Sequence, residues 1–116
     1  MHYSEMDVWL RAIDLALAIY EKTKAMPPDE RFGLTQQLRR AAVSIPSNIA
    51  EGEGRDSFRD RSRFYHQARG SLYELETQVY FSQRLGYVTD DAAIKDLSQH
   101  VGRLINGVLR DLAERG

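Results

Sequence analysis

Pro46 sits inside a helical pattern. Across Arg31–Arg55 the apolar residues Leu34, Leu38, Ala41, Ala42, Ile45 and Ile49 recur at three- and four-residue spacing, the period of one helix face. A proline within such a run removes a backbone donor and sets its ring against the carbonyl four residues earlier. An unconstrained helix avoids that arrangement. The segment Ser44-Ile45-Pro46-Ser47-Asn48 is therefore the signature of this chain, and it marks an architecture rather than a reaction.

Four helical segments follow from the punctuation. The first is predicted from Asp7 to Lys24 and is stopped by Pro27-Pro28, because the residue before a proline is pushed away from helical angles. The second is predicted to be capped by Asp29, to run to about Ala50 and to end at Gly52 and Gly54. The third opens on Ser57-Phe58-Arg59-Asp60, which reads as a capping box, and runs to Leu85 with Gly86 as its cap. The fourth starts near Thr89-Asp90-Asp91, where acids suit a helix N-terminus, and runs almost to Gly116. No segment alternates as a strand does. Short connections make sequential helices antiparallel neighbours, so the expectation is all-α: one domain over 1–116, an up-down-up-down four-helix bundle. Gly70, in the middle of the third helix, is expected to mark a close approach of another helix backbone.

The first helix is too apolar for that arrangement alone. From Val8 to Tyr20 only Arg11 and Asp14 are polar, and a helix apolar nearly all round needs cover on more than one face. Val8, Trp9, Leu10 and Leu17 are therefore candidate oligomer-interface residues. Tyr73 and Tyr80, seven residues apart and off the core stripe of the third helix, add a second candidate edge.

Charge is uneven although the net value is −1. Residues 31–69 hold eight arginines against Glu51, Glu53, Asp56 and Asp60, whereas both ends are net acidic. Arginine suits bidentate carboxylate or phosphate contacts, so Arg39, Arg40, Asn48, Glu51, Arg55, Arg59 and Arg63 form a candidate polar or partner surface. Ion pairs of Arg39 and Arg40 with Glu74 and Glu76, and a capping and inter-subunit hydrogen-bond network of Asn48, Glu51 and Arg55, are the expected local arrangements. A dedicated nucleic-acid binder carries a basic excess over its whole domain, which places that use second.

Enzyme signatures are missing. There is no cysteine, hence no disulfide, thiolate nucleophile or Cys-based zinc site. His2, His66 and His100 each lack the preceding Glu of a di-iron bundle motif, and Gly52-Glu53-Gly54 is too short for a phosphate loop. Ser44, Ser47 and Ser71 have no His–acid partner, and their hydroxyls are expected to satisfy backbone carbonyls around Pro46. No metal, cofactor or catalytic residue is expected. The N-terminal segment does not read as a signal peptide and no apolar run can span a bilayer, so a cytoplasmic protein without membrane contact is expected.

The chain resembles the bacterial four-helix-bundle proteins encoded in intervening sequences of 23S rRNA genes. The residues that carry the likeness are Glu30-Arg31-Phe32-Gly33-Leu34, then Gln37 to Gly52 around Pro46, then Ala68-Arg69-Gly70-Ser71 and Glu74-Leu75-Glu76-Thr77-Gln78. The resemblance implies a ring-like homopentamer without known catalysis. A related branch, the accessory proteins of diversity-generating retroelements, binds a reverse transcriptase and is typically basic overall, unlike this chain. The reading is a non-enzymatic, homo-oligomeric assembly protein whose partner is itself and then another protein. A nucleic-acid-binding or reverse-transcriptase accessory role for the central arginines is the alternative.

Overall fold

A computed structural model describes all 116 residues. Four α-helices carry the fold: α1 Asp7–Lys22, α2 Leu34–Glu53, α3 Phe58–Arg84 and α4 Ala92–Arg115. Short 3-10 turns at Tyr3–Glu5, Thr23–Ala25 and Pro28–Glu30 complete it, and there is no strand. At about 1.5 Å per residue, the 27 residues of α3 come close to the 45 Å long axis of the molecule.

Local chemistry sets each boundary. α1 tightens into its 3-10 turn where the Thr23 hydroxyl donates to the Ile19 carbonyl at 2.7 Å. The start of α2 differs from expectation. Asp29 is not its cap, because Pro28–Glu30 forms a separate turn. The helix begins after Gly33 instead, and the Glu30 carboxylate accepts the Leu34 N–H at 3.1 Å.

The end of α2 differs too. Gly52 lies within the helix and is buried. A Cβ placed there would sit 3.0 Å from Phe64 Cβ and 3.3 Å from the Arg61 carbonyl oxygen. Gly52 is thus the close crossing of α2 over α3, and Gly54, with φ of −83°, is an ordinary right-handed cap. Within the chain the close approach lies at Gly52, whereas around Gly70 no atom of the same chain lies within 4 Å of an added Cβ.

The caps of α3 and α4 follow the sequence more closely. Ser57 Oγ accepts the Asp60 N–H at 3.1 Å, the one half of the expected capping box that forms. Gly86, with φ of 79°, is the only left-handed residue. Its N–H reaches the Gln83 carbonyl and that of Tyr87 reaches Ser82, the Schellman pattern that glycine permits. Asp91 caps α4 by accepting the Ile94 N–H at 3.1 Å.

The four helices bury one continuous core. α1 and α3 each pack against both α2 and α4, with Leu15, Ile19, Leu38, Ile45, Ile49, Tyr65, Leu72, Leu75 and Ile105 at its centre. Pro46 is buried in this interior. Beside it Ser44 Oγ and Ser71 Oγ lie 2.9 Å apart across the α2–α3 contact, and Asn48 Nδ2 donates to the Ser44 carbonyl and hydroxyl. The Ser44 hydroxyl therefore bridges two helices through Ser71 instead of turning back onto a carbonyl. Lys22, ending α1, reaches Thr89 at 3.0 Å and Asp91 at 3.5 Å at the start of α4.

Candidate interaction surface

α1 carries two apolar stripes. Val8, Ala12, Leu15, Ala16 and Ile19 are buried in the core. Val8, only 4 % exposed, is thus a core residue and leaves the candidate interface. Trp9 is half-buried, packing on the core and edge-on to Tyr3 at 5.4 Å between ring centres. Leu10, Ile13, Leu17 and Tyr20 recur at three-four-three spacing on the opposite side, a separate face on a 3.6-residue period. Leu17 is 63 % exposed there, and Leu10 and Ile13 are half-buried.

α3 leaves aromatic surface open on two sides. Tyr73 and Tyr80 are 54 % and 59 % exposed. Tyr80 borders a groove with α4 residues Lys95 and Ser98, and its hydroxyl accepts from Arg84 Nη1 at 3.0 Å. Sequence reasoning missed Phe81 and Leu85, both exposed. Phe81 shares a second groove with Gly33 and Leu34 at the start of α2. The available signal was their spacing of four on a face outside the core stripe.

The central arginines do not act as one surface. Arg39 turns toward α1, where Nε donates to Thr23 Oγ1 at 2.8 Å and the guanidinium lies over the Tyr20 ring at 4.7 Å. The ion pairs expected for Arg39 and Arg40 with Glu74 and Glu76 do not form. Glu74 accepts from Gln78 on its own helix, and partial burial raises the Glu76 carboxyl above the usual carboxylate range. Arg55 and Arg63 each stack on Phe64 with 4.6 Å to its centroid, and Arg63 also faces Asp60 at 3.9 Å. Arg59 and Glu51 are exposed without an ion pair. Within the chain Asn48 is held by Ser44 and joins neither Glu51 nor Arg55.

The acid that matters at this end is Glu53. Its Oε2 accepts from the Tyr65 hydroxyl at 2.7 Å and its Oε1 lies 3.8 Å from Arg61 Nη1. Burial, reinforced by the Glu53 hydrogen bond and charge, pushes the Tyr65 hydroxyl well above the ordinary phenol value, so it stays a donor. Nothing in sequence spacing tied Glu53 to Tyr65, because the contact exists only once α2 crosses α3 at Gly52. No three His, Asp or Glu side chains converge as a metal-ligand set. No helix is long and apolar enough to cross a membrane.

Residues 4–107 match the model of the 23S rRNA-intervening sequence protein. The chain belongs to that family. Among solved structures it is similar to a protein of unknown function from the S23 ribosomal protein family of Bacteroides thetaiotaomicron. The two share 23 % sequence identity with a TM-score of 0.80, covering 88 % of this chain and 97 % of that one. At that identity the likeness is one of fold. Among curated proteins none matches. The matched region includes the Pro46 segment and its half-buried Ser44–Ser71 bridge, as it does the exposed stripes of α1 and α3.

Proposed function

We propose that this member of the family is a non-enzymatic assembly protein. Its helices run up-down-up-down and copies close into a homo-oligomeric ring, a pentamer by the family resemblance, which presents a surface to another macromolecule in the cytoplasm. Two contacts support the antiparallel order: Lys22 at the end of α1 meets Asp91 at the start of α4, and Glu53 at the end of α2 meets Tyr65 in the early turns of α3.

The observation that carries the assembly reading is the second stripe of α1. Its core-facing stripe is already buried, yet Leu17 and Tyr20 remain exposed beside half-buried Leu10 and Ile13. Apolar surface gains about 25 cal/mol per Å² when removed from water, and a ring with heterologous contacts covers such a face with a different surface of the next subunit. The aromatic edges of α3 supply that surface. The nucleic-acid reading draws less support. Arg55, Arg61 and Arg63 are engaged with Phe64, Glu53 and Asp60 inside the chain, which leaves fewer cations for a phosphate backbone.

Light scattering on the purified protein at micromolar concentration tests the proposal. The expected result is a closed oligomer that Leu17→Glu combined with Tyr80→Glu converts to a helical monomer. A parent protein that is a folded monomer at that concentration overturns the assembly reading. A ring of another size overturns only the pentamer.

A further inference from the structure

We propose that a hollow beside the first two turns of α2 binds a phosphate dianion. The hollow has a volume of about 300 Å³ and is lined by Tyr20, Arg31, Thr35, Gln36, Arg39 and Arg40. Three of its six walls are guanidinium side chains and none is an acid. This inference is independent of assembly, since it needs only one chain.

The arginines here share one hollow and have no carboxylate partner. Arg11, Arg61, Arg63 and Arg115 each face a carboxylate, but Arg31, Arg39 and Arg40 have none within 4.0 Å. Arg39 is already oriented. Its Nε is held by Thr23 Oγ1 at 2.8 Å and its Nη2 by the Tyr20 carbonyl at 3.3 Å, which leaves Nη1 uncommitted. Arg31 rests over Phe32 at 5.2 Å, and Arg40 is exposed. Three unneutralised cations around one concavity form a local positive field in a chain whose net charge is −1.

An independent observation comes from Thr35. It is only 8 % exposed, it lines the hollow, and its hydroxyl is buried without a hydrogen-bond partner. Buried hydroxyls in native proteins are paired with few exceptions, and an exception calls for an explanation. The backbone gives the same direction. The N–H groups of Thr35 and Gln36 have no acceptor, whereas that of Leu34 is taken by Glu30 and that of Gln37 by Gly33. Unpaired amides in the first turn of a helix, with its dipole, favour an anion.

The donor set fits phosphate better than carboxylate. A carboxylate offers two oxygens, and this site offers a hydroxyl, two amides and three guanidiniums. A tetrahedral dianion has enough oxygens to meet donors from several directions, and the planar guanidinium fork matches phosphate geometry. Inorganic phosphate and the terminal phosphate of a nucleoside monophosphate share this group.

NMR titration of the full chain with inorganic phosphate, adenosine 5′-monophosphate and an oligonucleotide lacking terminal phosphates tests the site. Phosphate is expected to shift the Thr35 and Gln36 amides with saturation. Monophosphate binding tighter than phosphate assigns a nucleotide source and also supports the proposal. Arg31→Gln and Arg40→Gln, both at exposed positions without ion pairs, should each weaken binding about tenfold. Thr35→Val should weaken binding while leaving the melting temperature equal or higher, a split that a purely structural threonine would not give. Absent shifts at Thr35 and Gln36, unchanged affinity in both arginine variants, or binding of the oligonucleotide alone overturns the proposal.

Discussion

The Tyr65 hydroxyl donates to Glu53 Oε2 over 2.7 Å, tying the last residue of α2 to the second turn of α3. Tyr65 is fully buried, so this bond is made where an unpaired oxygen is costly. Tyr65→Phe keeps the ring and removes the donor, leaving Glu53 with Arg61 alone. The expected loss is about 1–2 kcal/mol, read by urea unfolding at fixed protein concentration.

The same pair sets a pH dependence. Burial first, then Glu53, raises the folded pKa of Tyr65 above its unfolded value of about 10. The folded state then holds a proton that the unfolded state has released. The stabilisation is complete below about pH 10 and is lost as pH rises beyond it. Stability should fall above pH 10, and phenolate absorbance of the folded protein should report one tyrosine that does not ionise. A full complement of phenolate at pH 11 in folded protein would contradict this.

Gly52 and Gly70 should respond oppositely to alanine. At Gly52 the new methyl meets Phe64 Cβ at 3.0 Å and the Arg61 carbonyl at 3.3 Å, both close to the α3 backbone and slow to yield. Gly52→Ala is expected to cost about 1–3 kcal/mol through overpacking, despite the better helix propensity of alanine. At Gly70 the methyl meets nothing within 4 Å, so Gly70→Ala should gain up to about 1 kcal/mol. Thermal melts of the two variants with the parent decide the matter; a stabilised Gly52→Ala would remove the close-crossing account.

Asp91 couples a cap to an ion pair. The Ile94 N–H lowers its pKa against the opposing effect of burial, and Lys22 adds to the lowering. With the folded pKa below the unfolded value of about 3.9, the contribution is present above that value and lost as pH falls through the folded one. Asp91→Ala should cost about 1 kcal/mol at neutral pH. Asp91→Asn, which can still cap, should keep most of that and flatten the acid limb of the stability curve. Equal losses in both variants would show that charge, not the cap, dominates.

Helix count was legible because it depends on local signals. Pro27-Pro28 after α1, Ser57 before α3, Gly86 after it and Asp91 before α4 act within a few residues, and Ser57, Gly86 and Asp91 each cap a helix as their chemistry predicts. The Pro46 segment marked the family for a related reason, since a proline within so apolar a pattern is unusual in any helix. The start of α2 was misread because Asp29 is a good cap in isolation, while Pro28 made that stretch a turn of its own and Glu30 supplied the cap from four residues away.

The sequence alone determined that four amphipathic segments exist, that α1 carries more apolar surface than one face can bury, and that the cations concentrate in the middle of the chain. Periodicity and charge are one-dimensional, so they survive without a fold. Tertiary structure decided which copy of each feature is used. It put Val8 inside and Leu17 outside, made Gly52 rather than Gly70 the crossing point, turned Arg39 toward Tyr20 and Thr23 instead of Glu74 and Glu76, and left the Thr35 hydroxyl buried and unpaired among three arginines. Each of these depends on the rotation of one helix against another. A turn of 100° per residue moves a side chain from core to solvent without changing the pattern that predicts the helix.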